Sequence, residues 1–187
     1  MRVVAGVLRS RKIEAVEGME TRPTADRIKE AVFSRIGPYF AGGNFLDLYG
    51  GSGNIGIEAV SRGIDQVVCC DVNKKAIKTI ENNLRLLKIA KQFKVMHCSD
   101  AECLEYCHKA KISFNYIYLD PPYRLQQNQE IVQRILDLEL LDENGVLIIE
   151  GLKEDEPLSW KGMVCVKEAN YGITKIRYYE REGLNDE

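Results

Sequence analysis

No two of the six cysteines stand in a C-x-x-C spacing, and histidine occurs only twice, at His97 and His108. A structural zinc site pairs its ligands more closely than that. The cluster Cys103, Cys107 and His108 falls in an expected helix and reads as ordinary packing, so no metal is expected. Apolar runs are strand-sized and broken by charge, which excludes a membrane-spanning helix. The N-terminal MRVVAGVLRSRK lacks the apolar core of an export signal. Free thiols in such a chain suit a reducing compartment, and the expectation is a cytoplasmic protein. There is no internal repeat and no low-complexity stretch.

Strong net charge is missing as well. The 26 basic and 28 acidic residues leave −2, so the chain as a whole is not a generic polyanion binder. The distribution is less even. Residues 1–12 carry Arg2, Arg9, Arg11 and Lys12 with no acid, whereas residues 180–187 carry Glu180, Glu182, Asp186 and Glu187 against Arg181. The basic end is placed to face phosphate, with a merely solvated arm as the alternative.

What is present fits one α/β domain of 187 residues, 45% hydrophobic and 29% charged. RVVAGVL and KIEAV read as two short strands, forming a hairpin. In TRPTADRIKEAVFSRI, Thr24 caps a helix with Asp26 in its first turn, and Ile28, Val32 and Ile36 repeat at spacing four. Gly37–Pro38 and Gly42–Gly43 then break the chain. From about residue 44 short apolar strands alternate with helices. The strands are NFLDLY, QVVCCD, FKVMHC, FNYIYL and GVLIIE; the helices lie at about 54–62, in NKKAIKTIENNLRLLKI, and at about 101–110 and 126–138. That alternation predicts a parallel sheet covered on both faces. MVCVKEA and TKIRYYER, separated by Asn170-Tyr171-Gly172, predict an antiparallel hairpin at the sheet edge.

Chemistry concentrates at the strand ends. DLYGGSGNIG holds Gly51, Gly53 and Gly56 between a strand and a helix, a turn that lets a ligand approach the backbone. Asp71 follows at the end of the second strand, where a carboxylate accepts hydrogen bonds from ribose hydroxyls. These features alone fit NAD and S-adenosylmethionine (SAM) equally. Two details favour SAM. Asp47, before the glycines, would repel a pyrophosphate and attract the ammonium of a methionine tail; Asp100, after the third strand, stands where an adenine would be received. The alternative is that some of these acids only cap helices.

The fourth strand ends in Asp120-Pro121-Pro122-Tyr123. Two prolines remove two backbone donors, leaving a carboxylate and exposed carbonyls. Such a pocket accepts hydrogen bonds and suits an exocyclic amine, and Tyr123 can stack on a flat base. Asp120 and the Pro121 carbonyl would take both amine hydrogens and aim the lone pair at a sulfonium methyl, with the carboxylate stabilising the charge that develops.

These residues together resemble the RsmD family of bacterial methyltransferases. The likeness rests on RVVAG, TRPTADRIKEAVF, DLYGGSGNIGIEAVSRG, the helix with Glu81, Asn82 and Asn83, DPPY and YGITKIRYY. The resemblance implies a class I SAM-dependent methyltransferase fold: Rossmann-like, a seven-stranded mostly parallel sheet with helices on both faces, preceded by a short N-terminal hairpin and helix. It implies SAM over Tyr49, Gly50, Gly51, Ser52 and Gly53, with Asp71 on the ribose and Asp100 and Ala101 near the adenine. Asp120, Pro121, Pro122 and Tyr123 would form the catalytic niche. The family loop reads F-A-G-S-G, and Gly50 departs from it. The implied substrate is the N2 amine of a guanine in 16S rRNA of the small ribosomal subunit. Residues 1–43 would be an RNA-facing arm and helix of a single domain over 1–187, with Arg9, Arg11, Lys12, Arg22 and Arg27 positioning phosphates. A monomer suffices. The competing readings are an adenine-N6 methyltransferase on DNA or RNA, an NAD-dependent oxidoreductase, and a non-catalytic RNA-binding assembly factor.

Overall fold

A computed structural model of the chain describes residues 1–19, 23–121 and 125–183, with backbone alone for 23, 24, 125 and 126. The described residues form two compact units, Met1–Ser99 and Asp100–Glu187.

The first unit holds α1 (Pro23–Ile36), β1 (Asn44–Asp47), α2 (Asn54–Ser61), β2 (Gln66–Asp71), α3 (Lys74–Leu87) and β3 (Phe93–His97). β1 and β3 each pair in parallel with β2, through Leu46↔Val68 and Val68↔Lys94 among others. Phe45, Leu46, Val67, Val68, Cys69 and Cys70 are buried without alternation, as strands covered on both faces require. β3 is more open, with Lys94 and His97 exposed. Asn73 caps α3 by accepting from the Lys75 N–H at 2.9 Å. Ala76, Ile77, Ile80, Leu84 and Leu87 repeat at helical spacing and form its buried face.

The second unit holds α4 (Asp100–Lys109), β4 (Phe114–Leu119), α5 (Leu125–Asp137), β5 (Leu141–Leu152), β6 (Met163–Tyr171) and β7 (Thr174–Arg181). β4 and β5 run parallel, ending on the pair Leu119↔Ile149. β7 is antiparallel to β5 and β6. Gly172, at φ 61°, makes the β6–β7 turn that the sequence signals. Within each unit the strands joined by helices run parallel, and the tail strands are antiparallel. β5 is longer than the GVLIIE core, because Leu141 already pairs with Phe114 before a register shift leads to Tyr116↔Val146.

The expected N-terminal hairpin is present in minimal form. One antiparallel bridge joins Arg2 and Lys12, flanked by bonds from the Val3 N–H to the Arg11 carbonyl and from the Ile13 N–H to the Met1 carbonyl, each at 2.9 Å. Several other backbone groups of this segment bond to side chains. The buried Glu58 carboxylate accepts the Val4 N–H at 2.9 Å and the Ala5 N–H at 3.0 Å. Ser61 Oγ accepts from the Leu8 N–H at 3.0 Å and donates to the Ala5 carbonyl at 2.6 Å. Gly6, at φ 88°, turns so close to the Ser61 backbone that a Cβ would meet its carbonyl oxygen at 1.8 Å. Residues with strand propensity are therefore spent on docking against α2.

Glu58 is also the centre of a buried charge group. Arg62 Nε donates to it at 2.8 Å and Lys29 Nζ stands 3.4 Å away, with Lys29 and Glu58 fully buried. Lys29 donates in addition to the Arg2 carbonyl at 2.6 Å and to Asn54 Oδ1 at 2.7 Å. Burial lowers the proton affinity of Lys29, and the Glu58 and Asp26 carboxylates counter part of that effect. Glu58→Ala leaves two cations and two backbone donors without their shared acceptor. A loss of about 3–5 kcal/mol is expected, read as a fall in the urea midpoint at unchanged m-value.

Candidate functional site

The glycine turn is built by backbone bonds that only its composition allows. The Gly50 N–H donates to the Cys70 carbonyl at 2.9 Å, and the Gly53 N–H donates to the Gly50 carbonyl at 2.8 Å. Gly51 and Gly53 have φ of 57° and 82°, a region that side chains disfavour. Gly53 directly precedes α2, so that helix's N-terminal N–H groups open at the turn. A Cβ on Gly51 would meet no atom within 4 Å, so the turn has open space above it. Gly56 does the opposite work: a Cβ there would come within 2.9 Å of Phe93 and Val67, so this glycine seats α2 against the strands.

Of the expected cofactor residues, Asp47 ends β1 at 2% exposure. Tyr49 is half-buried, while Gly50, Ser52 and Gly53 are buried. Asp71 ends β2 and is already engaged: Oδ2 accepts the Gly51 N–H at 3.0 Å, and Oδ1 accepts the Asn73 N–H at 2.8 Å. It is part of the turn's construction, with acceptor capacity left on each oxygen. Val72 follows with 69% of its surface exposed, an apolar side chain beside the ribose candidate that the sequence reading passed over. Sequence reasoning also missed Asn83. This 1%-exposed side chain donates to the Ser52 carbonyl at 3.0 Å, in the middle of the turn.

In the second unit Asp100 begins α4, and its Oδ1 accepts the Ala101 N–H at 2.7 Å. The carboxylate thus sits in a helix's first turn, as in the capping alternative. Asp120 follows β4, and Pro121 beside it is buried. Pro122 and Tyr123 lie outside the described residues, as does Arg22.

The structure adds a neighbour to Asp120 that the tetrapeptide does not contain. Leu119 pairs with Ile149, so Asp120 and Glu150 are the next positions of two parallel strands. Tyr118 donates its hydroxyl to Glu150. Asp120 keeps one side open to water, but the protein around the rest withholds solvation, and the Glu150 charge repels its own. The two causes, burial first, push Asp120 up to about 7. Burial raises Glu150 too, and the Tyr118 hydroxyl offsets part of that. The pair therefore holds protons more tightly than free carboxylates do.

Arg9, Arg11, Lys12 and Arg27 are all exposed. Arg9 and Arg11 lie on the loop that also carries Val7, 87% exposed, and Lys12 lies on the bridge to Arg2. No helix among the described residues is long and apolar enough to cross a membrane.

Residues 1–180 match the family model described as Conserved hypothetical protein 95. The chain is 38% identical over 184 residues to "Putative rRNA methyltransferase YlbH" of Bacillus subtilis, covering 98% of this chain and all of the relative. It is 28% identical to "Ribosomal RNA small subunit methyltransferase D" of Haemophilus influenzae, covering 96% of this chain and 93% of that one. Among solved structures, "Putative methyltransferase yhhF from Escherichia coli" superposes with a TM-score of 0.83 at 26% identity, covering 97% of this chain and 98% of that one.

Removing the like charge beside Asp120 should ease its ionisation. In Glu150→Gln, the Asp120 carboxyl followed by carbon-detected NMR is expected to titrate at lower pH than in the wild type. An unmoved midpoint would leave burial as the sole cause.

Proposed function

The chain belongs to the RsmD family, described as Conserved hypothetical protein 95, and on that premise we propose that it methylates the N2 amine of a guanine in 16S rRNA of the small ribosomal subunit. It is a SAM-dependent rRNA methyltransferase, as relatives matched over nearly their whole length are named. The single domain over 1–187 acts as a cytoplasmic monomer in this reading, with residues 1–43 as its RNA-facing arm and helix. The observation that carries the chemistry is the placing of Asp120: a carboxylate at the end of β4, beside Glu150 of β5, followed by a proline that donates no N–H.

The residues present fit SAM. Open space lies above the Gly51 turn, a buried carboxylate precedes it at Asp47, and Asp71 retains acceptor capacity at the adjoining strand end. Asp47 would hold the ammonium of the methionine part. Tyr49, Gly50, Gly51, Ser52 and Gly53 would let it lie against the backbone, and Asp71 would receive the ribose hydroxyls. Exposed Val72, with Asp100 and Ala101, would meet the adenine. When bound, SAM supplies an electrophilic methyl on a positively charged sulfur.

An aryl amine is a weak nucleophile because its lone pair is delocalised into the ring. Asp120 and the Pro121 carbonyl accept its two hydrogens and turn the lone pair out of conjugation. Positive charge would build on that nitrogen as it takes the methyl, and the Asp120 carboxylate would stabilise it. The nitrogen then sheds one proton, and a carboxylate whose proton affinity lies near neutrality is suited to receive it. Tyr123 would stack on the base, and Pro122 would stiffen the niche.

The arm supplies affinity without choosing the base. Arg9, Arg11, Lys12, Arg22 and Arg27 would meet phosphates, which gives local attraction on a chain of net charge −2. The relatives' names favour rRNA over a DNA adenine or a nicotinamide reaction.

Asp120→Asn should lower turnover on undermethylated small subunits at least about 100-fold while SAM affinity by calorimetry stays near wild type. Asp47→Ala should do the reverse and weaken SAM binding first. Mass spectrometry of the product nucleoside should show N2-methylguanosine; N6-methyladenosine would refute the base assignment. Neutralising Arg9, Arg11 and Lys12 together should weaken RNA binding and flatten its salt dependence by about three charges' worth of slope. An unchanged slope would mean the arm only meets water.

A further inference from the structure

The segment bearing Arg9, Arg11 and Lys12 is held to Ser61 through residues 5, 7 and 8 and is fastened again at both of its ends, and each end fastening also grips the glycine turn. On one side, Asn83 Oδ1 accepts the Glu14 N–H at 2.9 Å, while its Nδ2 donates to the Glu14 carbonyl and to the Ser52 carbonyl, each at 3.0 Å. One buried carboxamide thus joins residue 14 of the arm to residue 52 of the turn. On the other side, Lys29 donates to the Arg2 carbonyl at 2.6 Å and to Asn54 Oδ1 at 2.7 Å. Glu58, four residues into α2, holds Val4 and Ala5. The two fastenings reach Ser52 and Asn54, the residues either side of Gly53. Between residues 5 and 13 the arm turns through Gly6 and Ser10, both at positive φ, and its cations are exposed.

A glycine-rich turn has little stiffness of its own, because glycine populates both signs of φ. Its shape is set by what holds it, and here two of the holds are shared with the arm. We propose that Asn83 is a positioning residue for SAM binding, and that through it RNA on the basic arm and SAM in the turn bind cooperatively. This rests on the function proposed above. Phosphates that order residues 5–13 also steady the Glu14 backbone, and with it the Ser52 carbonyl, so SAM meets a turn already ordered. Linkage makes the effect mutual: SAM tightens RNA by the same factor.

The test uses the full chain, unmodified 16S rRNA transcript and S-adenosylhomocysteine, which occupies the turn without reacting. In the wild type, saturating RNA is expected to tighten S-adenosylhomocysteine at least about fivefold by calorimetry, with the same factor found when RNA is titrated in the converse order. In Asn83→Ala the ratio should fall to near one and S-adenosylhomocysteine should bind more weakly even without RNA. Asn83→Asp keeps an acceptor for the Glu14 N–H but loses the donor to Ser52, and should behave like Asn83→Ala; restored linkage in this variant would contradict the role given to the Ser52 bond. Should Asn83→Ala fail to fold, the wild-type ratio still decides. Equal affinities with and without RNA overturn the cooperativity, and a full ratio in folded Asn83→Ala overturns the role of Asn83. A wild type that binds neither S-adenosylhomocysteine nor RNA instead rejects the functional reading on which this one stands.

Discussion

A carboxylate sealed from water needs every one of its lone pairs answered, and Glu58 answers them with groups drawn from three places in the chain. Two backbone N–H groups come from residues 4 and 5, a guanidinium from Arg62 at the C-terminal cap of its own helix, and an ammonium from Lys29 on α1. The desolvation penalty of such a group is several kcal/mol per ion, recovered only when the geometry is complete. That requirement fixes where the N-terminal segment lies, how α1 meets α2 and where Asn54 sits at the start of the glycine turn. The first unit is therefore organised around a polar centre as much as around its apolar strands.

Much of this protein is written in periodicity. β1 and β2 have apolar centres buried on both faces, Phe45–Leu46 and Val67–Cys70, β4 buries Phe114 and Ile117–Leu119, and α3 repeats its buried residues at helical spacing, so those elements could be placed from the chain alone. The glycine turn and Asp120 stood out because few residue types satisfy their backbone demands. What stayed hidden was charge in an unexpected place. Lys29 and Glu58 each occupy a helix position that reads as a solvated face, and nothing local says that the two meet across 29 residues. Asn83 looked like one more polar residue of a family motif, since its three bonds reach residues 31 and 69 positions away. The segment 2–8 reads as a strand for a related reason: its residues favour strands, while the N–H groups of Val4, Ala5 and Leu8 go to side chains of α2.

The candidate site divides its acids by environment. Asp71 is tied to backbone N–H groups, whereas Asp120, open to water on one side, stands next to a second carboxylate that repels its charge. Sequence alone lists both as strand-end aspartates, and Glu150 lies 30 residues further on, visible as a partner only once β4 and β5 are in register. The lesson is physical: a motif names the group, and the strand beside it sets the group's proton affinity.

Asp71 carries a consequence for anyone wishing to redesign this pocket for another nucleoside. The carboxylate that would meet the ribose is also a strut of the loop, since Gly51 and Asn73 both lean on it. Exchanging it would alter selectivity and scaffold at once, and the two outcomes would be inseparable in a binding assay. Val72 next door has an uncommitted side chain open to solvent, so retuning would start there, where shape can change without dismantling its support.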